Sequence, residues 1–499
     1  MDKLSIRVGS NVIKKHGALF STAVLSLAML AGISACQSDR SSSAAPAVQS
    51  QVQSQAPVMN PHEKMIHRRA IEAAVWGMPI EGTRGLLLAA RSDLGGDWND
   101  IIYFSKPMES RHGFLTANNQ VPYVIASLNT KDGPLVLEVP GASDKARFFG
   151  SLVDVWDYPF TDVGPAGADK GKGGKFLLLP PGYKGEVPEG YLVFRPYSYA
   201  VHIALRPVAE PGATMEDQVA YAKTLKLYRL SEASNPPPTN FIDAYSNAWD
   251  TLPKYDISFF YDMAATINEE PVLERDLAMM GILSSIGIEK GKAFNPDART
   301  QEILELAIKD AYDYMQDLFV RKAFSNYIEG TQWSNFNLSP EQAKAGWPFV
   351  TEDRMLIDER TNLYHYATFM PKALGGGSFY LTSLFDSEGN LFDGESTYKM
   401  NVPADTPAGD FWSAIAYSFA THGFIVGSER VGISSLDKDS LQVNADGSVD
   451  LYFAPIAPEG QESNWIPTRE AFWIVLRLYG PQEPLFDKSW SLPDVEKIK

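Results

Sequence analysis

The residues best equipped for chemistry fall in three short stretches. Asn118, Asn119, Gln120 and Tyr123 stand just before one apolar run, Asp154, Trp156 and Asp157 close another, and Arg195, His202 and Arg206 lie along a third. An arginine beside two carboxylates and an indole could hold a sugar or a carboxylate, because the guanidinium is a planar fork of donors and the indole a stacking face. Asp154 or Asp157 is then the acid or base and Arg206 the anion or oxyanion anchor, with Asn119, Tyr123 and Trp156 lining the site. From the C-terminal part of the chain, His422, Asn464 and Trp465 could complete it. The competing account is a structural ion pair under aromatic packing.

Other motifs fail on spacing. His62 and His67 are five residues apart, which turns a helix by about 500° and leaves the rings about 140° apart, whereas a zinc-binding helix needs a spacing of four. Asp386, Glu388, Asn390 and Asp393 resemble a calcium loop, but Leu391 stands where the turn needs Gly and Thr397 where the bidentate Glu belongs. Gly171-Lys172-Gly173-Gly174-Lys175 lacks the spacing and hydroxyl of a phosphate loop, and no G-x-S-x-G occurs. These tests leave no metal and no cofactor to expect.

Helical and strand patterns position these residues. Helical spacing of Ile66, Ala70, Ala73, Ala74 and Met78 predicts a helix from Pro61 to Ala90, capped by Asn60 and punctuated by Gly77, Pro79 and Gly82. From Val121 to Arg206 short strands alternate with turns, and Val124–Leu128 and Leu135–Val139 flank Lys131-Asp132-Gly133 as a hairpin would. Residues 213–325 turn helical again, opened by a capping box at Thr214 and Asp217, with helices at about 271–284 and 298–323. Beyond about residue 345 the chain is β-rich. The expected fold class is α+β, with antiparallel β-sandwich or jelly-roll regions at both ends and a central helical segment. The domains expected are 61–335, combining β and helical parts, and 340–499.

Composition narrows the partners. A net charge of -17 leaves no basic stripe to neutralise phosphates, which excludes nucleic acid. Lys3, Arg7, Lys14 and Lys15 precede an apolar run from Ala18 to Ile33, too short to span a bilayer comfortably, which is the order of a secretion signal. Ile33-Ser34-Ala35-Cys36 is similar to the lipobox of bacterial lipoproteins, and Cys36 is the chain's single cysteine. That resemblance implies a lipoprotein signal over residues 1–36 ending at Cys36, acylation of the Cys36 sulfur and, with Gln37 following, an outer-membrane lipoprotein whose folded part is extracytoplasmic. Residues 37–60, mostly Ser, Gln, Ala and Pro, form a disordered spacer in this reading.

Longer motifs carry a family resemblance. Ala74-Val75-Trp76-Gly77-Met78-Pro79, Asn118-Asn119-Gln120-Val121-Pro122-Tyr123, Asp132 to Pro140 and Leu178 to Gly185 resemble domain of unknown function 1254. Phe411-Trp412-Ser413, Asn444 to Ser448, Ser463 to Pro467 and Leu476-Arg477-Leu478-Tyr479-Gly480-Pro481 resemble domain of unknown function 1214. Val121 departs from the Thr common in the first family. The resemblance implies a C-terminal domain of jelly-roll type and, by analogy of fold, a carbohydrate-associated role. Three readings follow: a hydrolase of a glycan or small polar molecule in a cleft between the domains, a non-catalytic binder of a saccharide or partner protein, and a structural envelope component.

Overall fold

Asn60 opens the folded part of the chain. Its side-chain oxygen accepts from the N–H groups of His62 (2.9 Å) and Glu63 (3.0 Å), and its own N–H donates to the Glu63 carboxylate (2.8 Å). The cap is therefore a reciprocal capping box, with Pro61 in the first turn where a missing N–H costs nothing. In the computed structural model, which describes residues 58–498 apart from 323–325, 336–339, 373–377 and 438, the helix runs Pro61–Leu94 without interruption at Pro79. Gly77 serves packing rather than punctuation, since a Cβ there would clash with Met263 Cε on the helix Ser258–Glu269. Ala70, Ala73, Ala74 and Met78 bury against Ser258–Glu269 and the helix Ala298–Lys322. The capping box at Thr214 is also present and starts the helix Met215–Ala222. The signal, Cys36 and most of the spacer lie outside the described residues.

Two larger sheets and a two-stranded one, His112–Gly113 with Trp249–Asp250, form the N-terminal half. Six strands run in the order Phe241–Asp243, Ile101–Tyr103, Val124–Asn129, Ala200–Ala209, Ala146–Asp154, Pro159–Val163, and four in the order Lys226–Arg229, Leu135–Val139, Gly174–Leu178, Leu192–Phe194. The C-terminal half holds a five-stranded sheet, Ser334–Asn335, Ser378–Ser383, Phe472–Pro481, Ala408–Ser418, Gly432–Ser434. Beside it stands a four-stranded one, Trp465–Pro467, Val449–Ala454, Tyr398–Val402, Glu496–Lys497. Each half has its own core between its two larger sheets. A third core joins the halves, with Ile125 and Ala204 on one side, Ile415, Trp473 and Val475 on the other, and the helix Ile357–Tyr366 between.

This arrangement corrects the expected fold class. Three of the four larger sheets mix parallel with antiparallel pairs, none closes or curls, and helices occur along the whole chain rather than in a central block, so neither end is a jelly roll or the antiparallel sandwich expected. The carbohydrate analogy that rested on the jelly roll loses its support with it. Four strand pairings among the described residues are parallel, including Ile101–Tyr103 with Phe241–Asp243 and Val449–Ala454 with Trp465–Pro467. Parallel pairs need long crossovers, which local alternation does not reveal. The expected hairpin is likewise absent: a turn closes between Thr130 and Gly133, with the Gly133 N–H donating at 2.9 Å, but the flanking strands enter different sheets.

Candidate functional site

Strand alternation assembles a cluster where the two halves meet. Val124, Ala126 and Leu128, with Val201, Ile203 and Leu205, point into the N-terminal core, which turns Tyr123, Ala204 and Arg206 to the opposite face. In Phe472–Pro481 the same period sends Ile474, Leu476 and Leu478 into the C-terminal core and Trp473, Val475, Arg477 and Tyr479 toward the junction. Tyr380 sits directly opposite Arg477 in the neighbouring strand. Two arginines and three tyrosines thus converge from two sheets. Arg206, Tyr380 and Tyr479 are half-buried; Tyr123 and Arg477 are buried.

Hydrogen bonds fix the cluster's geometry. Asn118 Nδ2 donates to the Tyr479 hydroxyl at 2.6 Å, and Arg477 Nη2 donates to the Thr116 carbonyl at 2.9 Å. The Arg477 guanidinium lies 5.1 Å from the Tyr380 ring centre and 5.5 Å from that of Tyr417, whose hydroxyl donates to the Ala117 carbonyl. Tyr479 stacks on Phe411 at 4.1 Å. Arg206 hydrogen-bonds the Tyr380 phenol. Asn119 follows Asn118 in the chain, and its side-chain oxygen accepts from Gln120 Nε2 at 2.8 Å.

The electrostatics single out Tyr380. Burial pushes its phenol up, but the charges of Arg206 and Arg477, with hydrogen bonds from Ser378 and Arg206, outweigh burial and bring it down to about 8. Burial raises Tyr123 and Tyr479 instead, so these stay protonated. For Arg206 burial works against the charge, yet Tyr380, Tyr123 and Tyr479 raise its pKa above the ordinary value. A phenol that ionises near neutrality can act as a base or nucleophile, and the guanidiniums can hold a developing anion.

The other residues singled out in the sequence lie elsewhere. Asp154 is fully buried, accepting from the N–H groups of Trp156 (2.9 Å) and Tyr158 (3.1 Å), and burial raises it to about 6. Asp157, in a left-handed conformation with φ 57°, accepts from Thr368 Oγ1 (2.9 Å) and the Phe369 N–H (3.2 Å), and burial raises it well above the usual range. Trp156 packs on Trp76 at 4.8 Å. The pattern of an arginine over indoles near two carboxylates is real, but the arginine is Arg360, 5.8 Å from both indole rings and 2% exposed. His422 is buried at φ 56°, 4.6 Å from the rings of His365 and Phe319, with neither ring nitrogen hydrogen-bonded; burial holds it neutral. Asn464 spends its amide on Gln442 and Asp450, and Trp465 donates to the Ala454 carbonyl in the outer sheet. Arg206 and Tyr123 are therefore brought together, whereas Asp154, Asp157 and His422 lie buried among other residues.

Sequence reasoning missed Tyr380 and Arg477. A signal was present in Leu476-Arg477-Leu478-Tyr479, where polar residues alternate with core residues and so share a face. His202 also departs from the junction. It lines a separate cavity of about 10 Å³, room for one water, with Arg84, Trp98, Glu269 and Glu270.

Comparison with known proteins now bears on this geometry. Residues 98–229 match the family model of a protein of unknown function, DUF1254, and residues 377–483 match that of another, DUF1214. The chain carries both domains. Tyr123 and Arg206 belong to the DUF1254 residues, Tyr380, Arg477 and Tyr479 to the DUF1214 residues, so the cluster is shared between the two. Among solved structures the chain is similar to the VPA0106 protein from Vibrio parahaemolyticus, 16% identical over 87% of this chain and 100% of that one, with a TM-score of 0.52. This is a likeness of fold. An uncharacterised protein from Burkholderia cenocepacia aligns over 87% of this chain and 95% of its own at 12% identity, with a TM-score of 0.37. No curated protein matches.

Proposed function

We propose that this DUF1254–DUF1214 protein is an extracytoplasmic hydrolase of a small polar substrate, working at the junction of its two domains with Tyr380 as the activated group. The observation that carries this reading is the Tyr380 phenol set between Arg206 and Arg477 on a half-exposed surface. Tyr380 as phenolate takes the proton of an attacking water and returns it to the leaving group, while Arg206 faces the oxygen on which charge develops. Location rests on the charged and apolar N-terminal run and on Cys36, read as an outer-membrane lipid anchor. No helix among the described residues is long and apolar enough to cross a membrane.

The test is turnover of a panel of nitrophenyl esters and glycosides by the mature chain. The expected kcat/KM rises with pH through a limb near 8, and Tyr380→Phe removes both limb and turnover at unchanged folding. Wild-type turnover in Tyr380→Phe with the same limb contradicts the reading. A second reading, a non-catalytic binder, is favoured by one observation: Asp154, Asp157 and His422 are engaged in buried surroundings, which leaves the cluster without an evident partner acid. It predicts ligand binding that depends on Arg206 and no turnover of any member of the panel.

A further inference from the structure

Two guanidiniums share the junction, and among the described residues neither belongs to an ion pair; the groups acting on both are phenols. Arg477 is 3% exposed, and its Nε and Nη1 reach no hydrogen-bond acceptor, facing aromatic rings instead. Burying charge without a counter-charge is costly, and sites that tolerate it do so when an anion completes them. The molecule offers a contrast in the same half. Arg84, with a side chain 10% exposed, is satisfied internally by Asp262 (3.4 Å) and Glu269 (3.0 Å). Nothing comparable neutralises Arg206 and Arg477 among the described residues.

We infer that the ligand of this junction carries an oxyanion, a carboxylate or a phosphate, which docks against Arg206 and the Arg477 edge and supplies the missing negative charge. The inference rests on the proposal that the cluster is the working site, and adds the chemical class of what enters. Half-buried Arg206 is the accessible fork, suited to bidentate contact with either anion. Asn118 is fully buried and spends its amide on Tyr479 and the Gln120 N–H, which leaves the partly exposed Tyr479 hydroxyl, held in place by Asn118, as the group for the neutral part of the ligand. One consequence is linkage: the anion and the Tyr380 phenolate compete for the same two positive charges. Binding of one must weaken the other by the same factor.

Calorimetric titration of the mature chain with benzoate, inorganic phosphate and neutral benzamide tests this, alongside an ultraviolet titration of the phenols with and without benzoate. The expected result is binding of benzoate or phosphate but not of benzamide, weakening as pH rises through about 8. Benzoate or phosphate, whichever binds, moves the Tyr380 midpoint upward in the wild-type chain, a readout that needs no variant. Arg206→Gln weakens that binding about tenfold or more, the scale of a lost charge-assisted hydrogen bond. Which of the two anions binds distinguishes a carboxylate ligand from a phosphate. Absence of binding by both anions, or benzamide binding as well as benzoate, overturns the inference. If the anions bind as expected while Tyr380→Phe leaves turnover intact, the hydrolase reading fails and the anion site stands. If turnover depends on Tyr380 and neither anion binds, the anion site fails and the hydrolase reading stands.

Discussion

The junction around Tyr380 and the interior around Asp154 and Asp157 are built from the same ingredients, arginine against aromatic rings with ionisable oxygens nearby, and they behave in opposite ways. In the interior, burial lowers the Arg360 pKa to about 10, raises Asp154 to about 6 and raises Asp157 well above the usual carboxylate range. Every charge there is penalised. At the junction the phenols raise Arg206 and Arg477, and the two arginines lower Tyr380. The difference lies in the neighbours: Arg360 is 2% exposed and donates to the Trp76 carbonyl in the interior, whereas Arg477, 3% exposed, and the partly exposed Arg206 face phenols that favour their charge. Residue type alone identifies neither site as functional. What separates them is whether charge is being suppressed by packing or held ready by its neighbours.

The interior offers the most forceful challenge to this contrast. Arg360→Met takes from Asp154 and Asp276 one of their two nearby cations, Arg275 being the other, and removing one member of a buried charged group costs about 3–5 kcal/mol. Urea unfolding should show a loss of that size; a loss under about 1 kcal/mol would mean that Arg360 is not held as described.

Acid stability gives an intermediate effect. His365 is buried with its pKa lowered to about 3, and His202 likewise. A histidine depressed in the fold contributes stability that is complete above its unfolded pKa of about 6.5 and is lost as pH falls toward the folded value. Asp154 works in the opposite sense, contributing below about 4 and losing that contribution as pH rises through 6. His365→Leu should therefore flatten the fall in stability between about pH 6.5 and 3 by up to one proton's slope, read by chemical unfolding at several pH values. An unchanged slope would show that the imidazole is not kept neutral by burial. The smallest effect is expected at the junction: Tyr380→Phe should change unfolding stability by under about 1 kcal/mol, because a half-buried hydroxyl is being removed from a site that serves a ligand rather than the core.

Parts of this architecture are readable from the residues. Asn60-Pro61 and Thr214 through Asp217 announce helix starts because capping is local chemistry, and both boxes are present. The helix Ile357–Tyr366 gives no such notice. From Arg360 to Tyr366 every residue is buried, so no polar face alternates with an apolar one, and the charged and polar side chains Arg360, Asn362 and His365 obscure a segment enclosed on all sides. Of the candidate site, Arg206 and Tyr123 are legible as polar residues around strands. Tyr380 is not, because its significance comes from Arg477 opposite it and Arg206 from another sheet, separations that no local pattern contains. Asp154 and His422 look catalytic by type, and their burial is what residue type does not announce.

The role of the junction turns on the ionisation of one phenol among the chain's 22 tyrosines. An ultraviolet difference titration of the mature protein, wild type against Tyr380→Phe, isolates it. One phenol should ionise near pH 8 in the wild type and be missing from the variant. If both proteins begin to ionise only above about pH 10, the ordinary range for tyrosine, the two arginines do not activate Tyr380 and the junction is not the site described.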